Sequence, residues 1–187
     1  MKYWHGNTLT TEPATEPITK AETKLWLKID DDITDDDIID SLIESARKLA
    51  EDYCNRAFID QSWTLSLDCM PEEIYLPKGY LDSVTSVNVY SDAGVASLQD
   101  STYYQVVTGE NGMLFLESGY SWDTTTRPED QMRIIYKVGY GDATTDIPEG
   151  LKTAIKQLVA YLYENRETTE LPGLIKSLLN PYKIYNI

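Results

Sequence analysis

Residues 30–53 read DDDITDDDIIDSLIESARKLAEDY, and this stretch predicts a long amphipathic helix. Apolar residues recur three and four positions apart from Ile38 to Tyr53, which places them along one side of a helix. Thr34 is the expected N-cap, and three aspartates follow it in the first turn, where the helix dipole favours negative charge. A helix of about 28 Å, at 1.5 Å per residue, needs a partner that covers its apolar side.

The aspartate run at residues 30–40, DDDITDDDIID, also invites comparison with a calcium-binding loop. A loop of the EF-hand type needs a glycine at its sixth position and a glutamate at its twelfth. Counting from Asp30, the sixth position is Asp35 and the twelfth is Ser41. The pattern therefore favours a solvated helix start over a calcium loop, with a loose divalent-ion site as the alternative.

Further helices are expected on both sides of the middle of the chain. Thr19 and Glu22 form a capping-box pattern, in which each side chain pairs with the backbone amide of the other residue. Residues 147–167, IPEGLKTAIKQLVAYLYENRE, have an apolar stripe at helical spacing and a proline at the first turn. Residues 171–182, LPGLIKSLLNPY, repeat this pattern over a shorter length, and Asn180-Pro181 ends the helix.

Residues 58–140 change from a helical period to a period of two, which predicts strands. The segments SWTLSLD (62–68) and MRIIYKVGY (132–140) alternate apolar and polar residues. Asn111-Gly112 lies between two short apolar runs, and this pair is typical of a β-hairpin turn. The segment therefore predicts an antiparallel β region of about five or six strands.

Together these elements predict an α+β fold, in which a helical body of two long helices and several short ones carries an inserted antiparallel β region. The two long helices are far apart in sequence, and packing on each other is the simplest way to bury both apolar stripes. The expected parts are a mobile N-terminal arm at 1–17, the helical body at 18–57, the β insert at 58–140, the second part of the helical body at 141–180, and a C-terminal docking tail at 181–187.

The chain of 187 residues carries a net charge of −15. Its lysines and arginines are scattered, whereas nucleic-acid-binding proteins display basic patches, so tight binding to DNA or to an anionic membrane is not expected. No apolar run approaches the roughly 20 residues that cross a bilayer, and the first ten residues lack the apolar stretch of a signal peptide. These features predict a cytosolic protein.

The sequence offers little of the chemistry that an enzyme or a metalloprotein needs. The only histidine, His5, lies in the expected mobile arm, whereas Ser-His-Asp and Cys-His sites need a positioned base. Cys54 and Cys69 predict reduced structural thiols rather than a disulfide framework or a zinc site. We therefore expect no catalytic residue, no cofactor and no metal ion, and a carboxylate pair of the glycosidase type is the enzymatic alternative.

Aromatic residues are the other unusual feature, with 14 tyrosines and 4 tryptophans. Both types are enriched at protein interfaces, and several lie where a simple core does not need them. These are Tyr120, Trp122, Tyr161, Tyr163, Tyr182 and Tyr185. For the helix tyrosines ordinary packing is an equal alternative, but the apolar tail at residues 182–187 belongs to no periodic element and favours an interface.

With these elements placed, the chain resembles the head–tail connector proteins, or adaptors, of tailed bacteriophages. The resemblance runs from about Ile18 to Lys183, and no single segment in it is a catalytic signature. The segments that carry it, in order, are ITKAETKLWLKID, DDDIIDSLIESARKLAEDYCNRAFI, QSWTLSLD, IYLPKGYLDSVTSV, GYSWDTTTRPEDQMRIIYKVGYG, IPEGLKTAIKQLVAYLYENRE and LLNPYK.

The resemblance implies a structural protein of the virion neck, made in the host cytoplasm, that assembles a homo-oligomeric ring, usually twelvefold, beneath the portal protein. Such a ring extends the DNA channel and presents a surface to a stopper or tail-completion protein. By analogy the C-terminal segment grips the portal. The residues expected to do so are Leu171, Leu174, Leu178, Pro181, Tyr182, Lys183, Ile184, Tyr185 and Ile187.

Two further groups of residues are expected to serve the ring. A ring repeats one heterologous contact, and we expect Arg47, Arg56 and Arg166 to meet acidic faces of the neighbouring subunit. We expect Asp35, Asp36, Asp37 and Asp40 at the channel or its rim, where an acidic surface lets DNA slide without binding. A different neck component, such as a stopper or tail-completion protein, and a small carboxylate-based hydrolase are the alternatives.

Overall fold

Strands and helices lie in separate parts of the chain in the computed structural model, which describes residues 4–29, 36–122, 127–165 and 170–185. The β unit comprises Met1–Pro13 and Asp60–Gly139. The helical unit comprises Ala14–Ile59 and Tyr140–Ile187. The presence of antiparallel sheets and helices in these separate units confirms the predicted α+β fold.

The described part of the β unit contains eight strands in two antiparallel sheets. They are β1 (Trp4–Thr11), β2 (Gln61–Leu67), β3 (Glu73–Tyr75), β4 (Leu81–Tyr90), β5 (Ala96–Leu98), β6 (Tyr104–Val107), β7 (Met113–Leu116) and β8 (Met132–Val138). The larger sheet has the order β1-β2-β8-β4-β5, and the smaller has the order β3-β7-β6. Seven of these strands lie between residues 58 and 140, more than the predicted five or six, because β3 and β5 are too short to show a period.

The alternating segments form the central strands of the larger sheet, as their period predicts. In β8 every second residue is buried, and the same face of β2 buries Leu65 and Leu67. The predicted hairpin at Asn111-Gly112 joins β6 to β7, which pair antiparallel. Gly112 is required there because a Cβ atom would clash with the side chain of Leu81.

The prediction of a mobile arm at residues 1–17 is wrong for Trp4–Thr11, which forms β1 at one edge of the larger sheet. The buried Tyr136 hydroxyl donates a 3.1 Å hydrogen bond to Asn7 Oδ1, and His5 Nδ1 lies 3.0 Å from Asp68 Oδ1. β1 lies at the edge of the sheet and has a neighbouring strand on one side only. Such a strand can lack the alternation of apolar and polar residues. The periodicity of the sequence therefore did not reveal it.

The helical unit contains four described α-helices. They are α1 (Lys20–Leu27), α2 (Asp36–Cys54), α3 (Glu149–Glu164) and α4 (Gly173–Leu179), and a short 3₁₀ turn at Asn180–Tyr182 follows α4. The capping box at the start of α1 is present, with Thr19 and Glu22 each accepting a hydrogen bond from the backbone N–H of the other. The predicted N-cap of α2, Thr34, lies outside the described residues. None of the described helices is long and apolar enough to cross a membrane.

The apolar stripes of α2 and α3 share one core, as their separate periodic patterns predict. Ile18, before α1, and Ile175 and Leu179 of α4 complete this core. The buried residues of the two long helices are Ile39, Ile43, Ala46, Ala50, Cys54, Leu151, Ala154, Ile155, Leu158, Val159 and Leu162. Burying a leucine or isoleucine side chain stabilises a fold by about 1.5–3 kcal/mol, so the core shared by α2 and α3 contributes much of the stability of the helical unit.

Trp122 is part of the β-unit core rather than of an exposed surface. Its side chain is buried, and its Nε1–H donates a 3.0 Å hydrogen bond to the carbonyl of Pro71. A buried indole usually finds such a partner for its N–H group. Tyr120, in the same loop, is exposed and stacks on Tyr103 with ring centroids 4.8 Å apart.

Candidate interaction surfaces

The end of α2 and a glycine of α3 hold the C-terminal segment. The backbone N–H of Ile184 donates a 2.8 Å hydrogen bond to the carbonyl of Cys54, and the Tyr53 hydroxyl donates a 2.7 Å bond to Asn180 Oδ1. Gly150 leaves space for Tyr182, because a Cβ atom at that position would clash with the Tyr182 hydroxyl. The segment from Asn180 to Ile184 is therefore anchored on its own helical unit, although it belongs to no periodic element of the sequence.

The residues predicted to bind the portal fall into two groups in the structure. Leu171, Leu178 and Tyr182 are partly buried and pack against the core of the helical unit. Leu174 and Tyr185 are 68% and 69% exposed. Pro181 is also exposed, Lys183 and Ile184 are half-buried, and Ile187 lies outside the described residues.

Lys183 lies close to two aromatic rings, that of Tyr53 in α2 and that of Tyr185 in the tail. Its ammonium nitrogen lies 4.1 Å from the centre of the Tyr53 ring and 5.8 Å from the centre of the Tyr185 ring. A cation over an aromatic face is stabilising, by about 0.5–1 kcal/mol at an exposed site. This contact orients the last described residues while the face of Tyr185 remains accessible.

The two arginines predicted to contact a neighbouring subunit are buried inside their own helical unit. Arg47 donates 2.8 Å and 2.9 Å hydrogen bonds to Glu16 and Glu51, and it is 2% exposed. Burial lowers the pKa of the Arg47 guanidinium, but the two glutamates outweigh burial and the net pKa is raised. Arg56 is 7% exposed and donates to the Tyr182 carbonyl.

Such satisfied, buried guanidinium groups cannot also reach a second chain without breaking their internal pairs. Arg47 and Arg56 therefore stabilise the helical unit, and burial of both side chains corrects the assignment made from the sequence. Arg166, the third member of that group, lies outside the described residues.

The aspartates at the start of α2 are tied to lysines of α1. Lys20 Nζ lies 3.3 Å from Asp36 Oδ2 and 2.7 Å from Asp40 Oδ2, and Lys24 pairs with Asp36. The Lys24 hydrogen bond is the main cause that lowers the pKa of the Asp36 carboxyl. Asp36 thus fastens α1 to α2, whereas Asp37 and Asp40 are exposed and Asp35 lies outside the described residues.

An open groove that the sequence did not predict lies between the start of α1 and the first half of α2. Its volume is about 500 Å³. Ile18 and Ile43, which are almost fully buried, form its floor, and Glu16, Lys20, Asp40 and Glu44 supply charged walls. Two of these carboxylates, Asp40 and Glu44, are one helical turn apart on α2, so they lie on the same side of the helix.

Groups suited to catalysis or metal binding are sparse in the described residues. No set of three or more histidine, cysteine, aspartate or glutamate side chains in that part of the chain is placed to hold a metal ion. The Cys54 thiol is buried, and burial raises its pKa to about 11. A groove of the β unit contains a single carboxylate, Asp100, which accepts a hydrogen bond from the Thr102 N–H. A glycosidase site needs two carboxylates.

The fold and these surfaces define a protein whose exposed features suit contacts with other chains. A family model described as head completion protein matches residues 16–171. The match covers well over half of the sequence, so this chain belongs to the head completion protein family. That family confirms the class predicted from the sequence, a connector between the head and the tail of a virus particle. No curated protein matches the sequence.

Solved structures from gene transfer agent particles have the same fold. A chain in the neck of an empty gene transfer agent particle, computed with C6 symmetry, is 18% identical, with a TM-score of 0.82 and coverage of 97% of both chains. Chains in the virion and in the C12-symmetric neck of the native particle have TM-scores of 0.75 and 0.68, each at 18% identity and with coverage of 96% of this chain and 97% of the other. These similarities establish the fold over nearly the whole length of the chain.

Proposed function

We propose that this protein is a structural subunit of the neck of a tailed phage or a related particle, where it forms a ring between the portal and the next neck or tail protein. The observation that carries the proposal is the shared fold, which extends over 97% of this chain and of a chain from a gene transfer agent neck. The ring is proposed to be twelvefold, the symmetry with which one of the similar necks was computed.

Charge supports a role beside DNA without tight binding to it. The chain carries 31 acidic and 16 basic residues. Affinity for DNA comes mainly from cations that replace counterions on phosphates, and an acidic wall lacks them. We propose that the exposed Asp37 and Asp40, with Asp35 and the partly buried Asp36, face the channel or its rim, so that DNA passes without adhering.

The portal contact is proposed for the end of the anchored tail. Asn180–Ile184 is fixed on α2, and Pro181, Lys183 and Tyr185 offer a proline, a cation and an exposed aromatic ring at its surface. Aromatic anchors held rigidly lose little entropy on binding and are frequent hot spots. Tyr185 is therefore the described residue expected to contribute most to portal binding, with Ile187 beyond it.

The proposal is tested by native mass spectrometry of the purified full-length chain, alone and mixed with its cognate portal. A large complex of defined stoichiometry that appears or strengthens with the portal supports a ring adaptor. A chain that ignores the portal and binds only a tail-side protein contradicts the adaptor role and supports the stopper or tail-completion alternative.

A point variant separates portal binding from folding. Tyr185→Ser is expected to weaken portal binding at least about tenfold, the size of a modest hot spot, while the melting temperature stays unchanged. Tyr120→Ser, at an exposed tyrosine of the β unit, is the matched control and is expected to leave portal binding intact. Equal portal binding by wild type and Tyr185→Ser would contradict this contact. Deletion of residues 181–187 is a poorer test, because it removes the Tyr182 carbonyl that Arg56 binds.

A further inference from the structure

A closed ring needs two different and complementary patches on each subunit, because every subunit provides one side of the contact and receives the other. Arg47 and Arg56 are buried and already paired within the helical unit. The contact between subunits must therefore use other residues. The inference below rests on the proposed ring.

One patch is the groove between α1 and α2. Its lining includes the apolar side chains of Ile18 and Ile43 and three carboxylates, against one lysine, Lys20. Asp40 pairs with Lys20, and Glu44 pairs with Lys48 at 2.8 Å, both at exposed positions. An ionised carboxylate accepts several hydrogen bonds, so each of these groups retains the capacity to bind a further cation.

The other patch is the outer face of α4. Ile175 and Leu179 point into the core, and the opposite side presents Gly173, Leu174, Lys176 and Ser177. Gly173 and Ser177 are small and lie one turn apart, with open space where a Cβ atom on Gly173 would stand. Leu174 and Lys176 flank them on either side. No carboxylate in the described part of the chain pairs with Lys176.

We propose that the exposed face of α4 in one copy of the chain occupies the α1–α2 groove of the next copy. Leu174 then lies over the groove floor above Ile18 and Ile43, the small residues Gly173 and Ser177 allow close approach, and Lys176 binds Glu44, while Asp40 keeps its pair with Lys20. The exposed Leu174 is thereby covered, and Lys176, for which the described residues offer no carboxylate partner, meets a carboxylate of the next copy. Leu174 thereby serves the ring rather than the portal.

The positions of the two patches favour a contact with a neighbour. Asp40 and Glu44 lie in the first half of α2, whereas the Leu179 carbonyl at the end of α4 accepts a 3.6 Å hydrogen bond from Cys54 at the end of α2. Residues 44 and 54 are ten positions apart, which is about 15 Å along a helix. A subunit therefore presents the groove and the α4 face near opposite ends of α2, as a head-to-tail contact requires.

A charge swap tests the contact. Full-length chains carrying Lys176→Glu, Glu44→Lys or both are compared with wild type by mass photometry, with and without the purified portal. Each single reversal places like charges together and is expected to raise the concentration at which rings dissociate by at least about tenfold. The double variant restores opposite charges and is expected to form rings nearly as wild type does. Leu174→Ser is expected to weaken the ring without lowering the melting temperature.

Two matched controls distinguish this contact from a general effect of charge. Lys28→Glu reverses the exposed lysine that follows α1, and Asp52→Lys reverses an exposed aspartate on α2. Both are expected to form wild-type rings. Three outcomes would each overturn the contact and leave the adaptor role standing. The first is that the rings survive both single variants, the second that the double variant does not restore them, and the third that the two controls disrupt assembly equally. A wild-type chain that forms no ring even with the portal would overturn the proposed function itself.

Discussion

Arg56 Nε donates a 2.9 Å hydrogen bond to the main-chain carbonyl of Tyr182, a residue 126 positions further along the chain. The same guanidinium donates through Nη1 to the Tyr140 hydroxyl at 2.8 Å, and its carbon lies 5.5 Å from the centre of the Tyr140 ring. One buried cation thus joins the residues after α2, the residues before α3 and the C-terminal tail. Tyr182 lies three residues before Tyr185, so we expect this link to help to orient Tyr185.

Replacement of Arg56 by leucine should destabilise the helical unit. The Tyr182 carbonyl and the Tyr140 hydroxyl, both on half-buried residues, each lose the Arg56 donor. A buried group left without its hydrogen bond costs about 1–3 kcal/mol. We expect the free energy of unfolding, measured by urea denaturation, to fall by about 2–3 kcal/mol. Arg56→Lys keeps the positive charge but lacks the planar guanidinium with its several N–H donors. It should therefore recover only part of the lost free energy of unfolding.

The same variant should loosen the tail. Limited proteolysis followed by mass spectrometry is expected to cleave Arg56→Leu after Lys183 or Tyr185 faster than it cleaves wild type, because Tyr182 is no longer held. A variant with wild-type stability and wild-type protection of the tail would contradict this role for Arg56.

The two cysteines should differ sharply in reactivity. Burial raises the pKa of the Cys54 thiol to about 11, so it is almost wholly protonated at pH 8, and the thiolate is the reactive form. Burial and the nearby Asp68 also raise the pKa of Cys69, but Cys69 is only half-buried. Alkylation at pH 8 with peptide mapping is expected to label Cys69 well before Cys54. In denaturant the two rates should converge, and equal rates in the native protein would argue against this packing.

Local patterns predicted the elements whose stabilising contacts are close in sequence. The capping box at Thr19 and Glu22, the apolar stripes of α2 and α3, and the hairpin at Asn111-Gly112 each depend on residues a few positions apart. Their periods and turn residues are therefore visible in the chain itself.

Contacts between distant residues were not predictable in this way. Arg47 and Arg56 carry the usual signs of surface arginines in the sequence, and only the fold shows that glutamates and a carbonyl enclose them. The tail has no period because single hydrogen bonds to Cys54 and Arg56 fix it. The α1–α2 groove forms where two helices meet, and no local pattern encodes such a space. The sequence therefore predicted the C-terminal segment as a candidate interface, but only the structure shows which of its residues are anchored and which are exposed.

Strand β1 can be tested through the pair Asn7 and Tyr136. Asn7→Ala leaves the buried Tyr136 hydroxyl without its acceptor, at a cost of about 1–3 kcal/mol. Tyr136→Phe removes the hydroxyl, so Asn7→Ala should cost much less in that background. A double-mutant cycle by urea denaturation is expected to give a coupling energy of about 1 kcal/mol. Thr8→Ala, at an exposed position of β1, is the control with little effect. Zero coupling would favour the mobile arm that the sequence suggested.

Asp130 should make the stability of the β unit sensitive to acid. Burial alone would raise the pKa of its carboxyl, but Arg133, with a 2.6 Å contact, and Arg127 outweigh burial and lower the pKa. A carboxyl whose pKa is lowered by folding contributes stability that is fully present above the unfolded-state pKa of about 3.9. That stability is lost as the pH falls through the folded-state pKa.

We therefore expect the free energy of unfolding to decline from about pH 5 downward, and Asp130→Asn should flatten part of this decline because its side chain cannot titrate. Urea denaturation at a series of pH values between about 2 and 7 measures how steeply the free energy of unfolding changes with pH in wild type and in Asp130→Asn. Asp92→Asn, at an exposed position of the same unit, is the matched control and should keep the wild-type slope. Superimposable pH profiles for wild type and Asp130→Asn would show that the two arginines do not stabilise the ionised carboxyl.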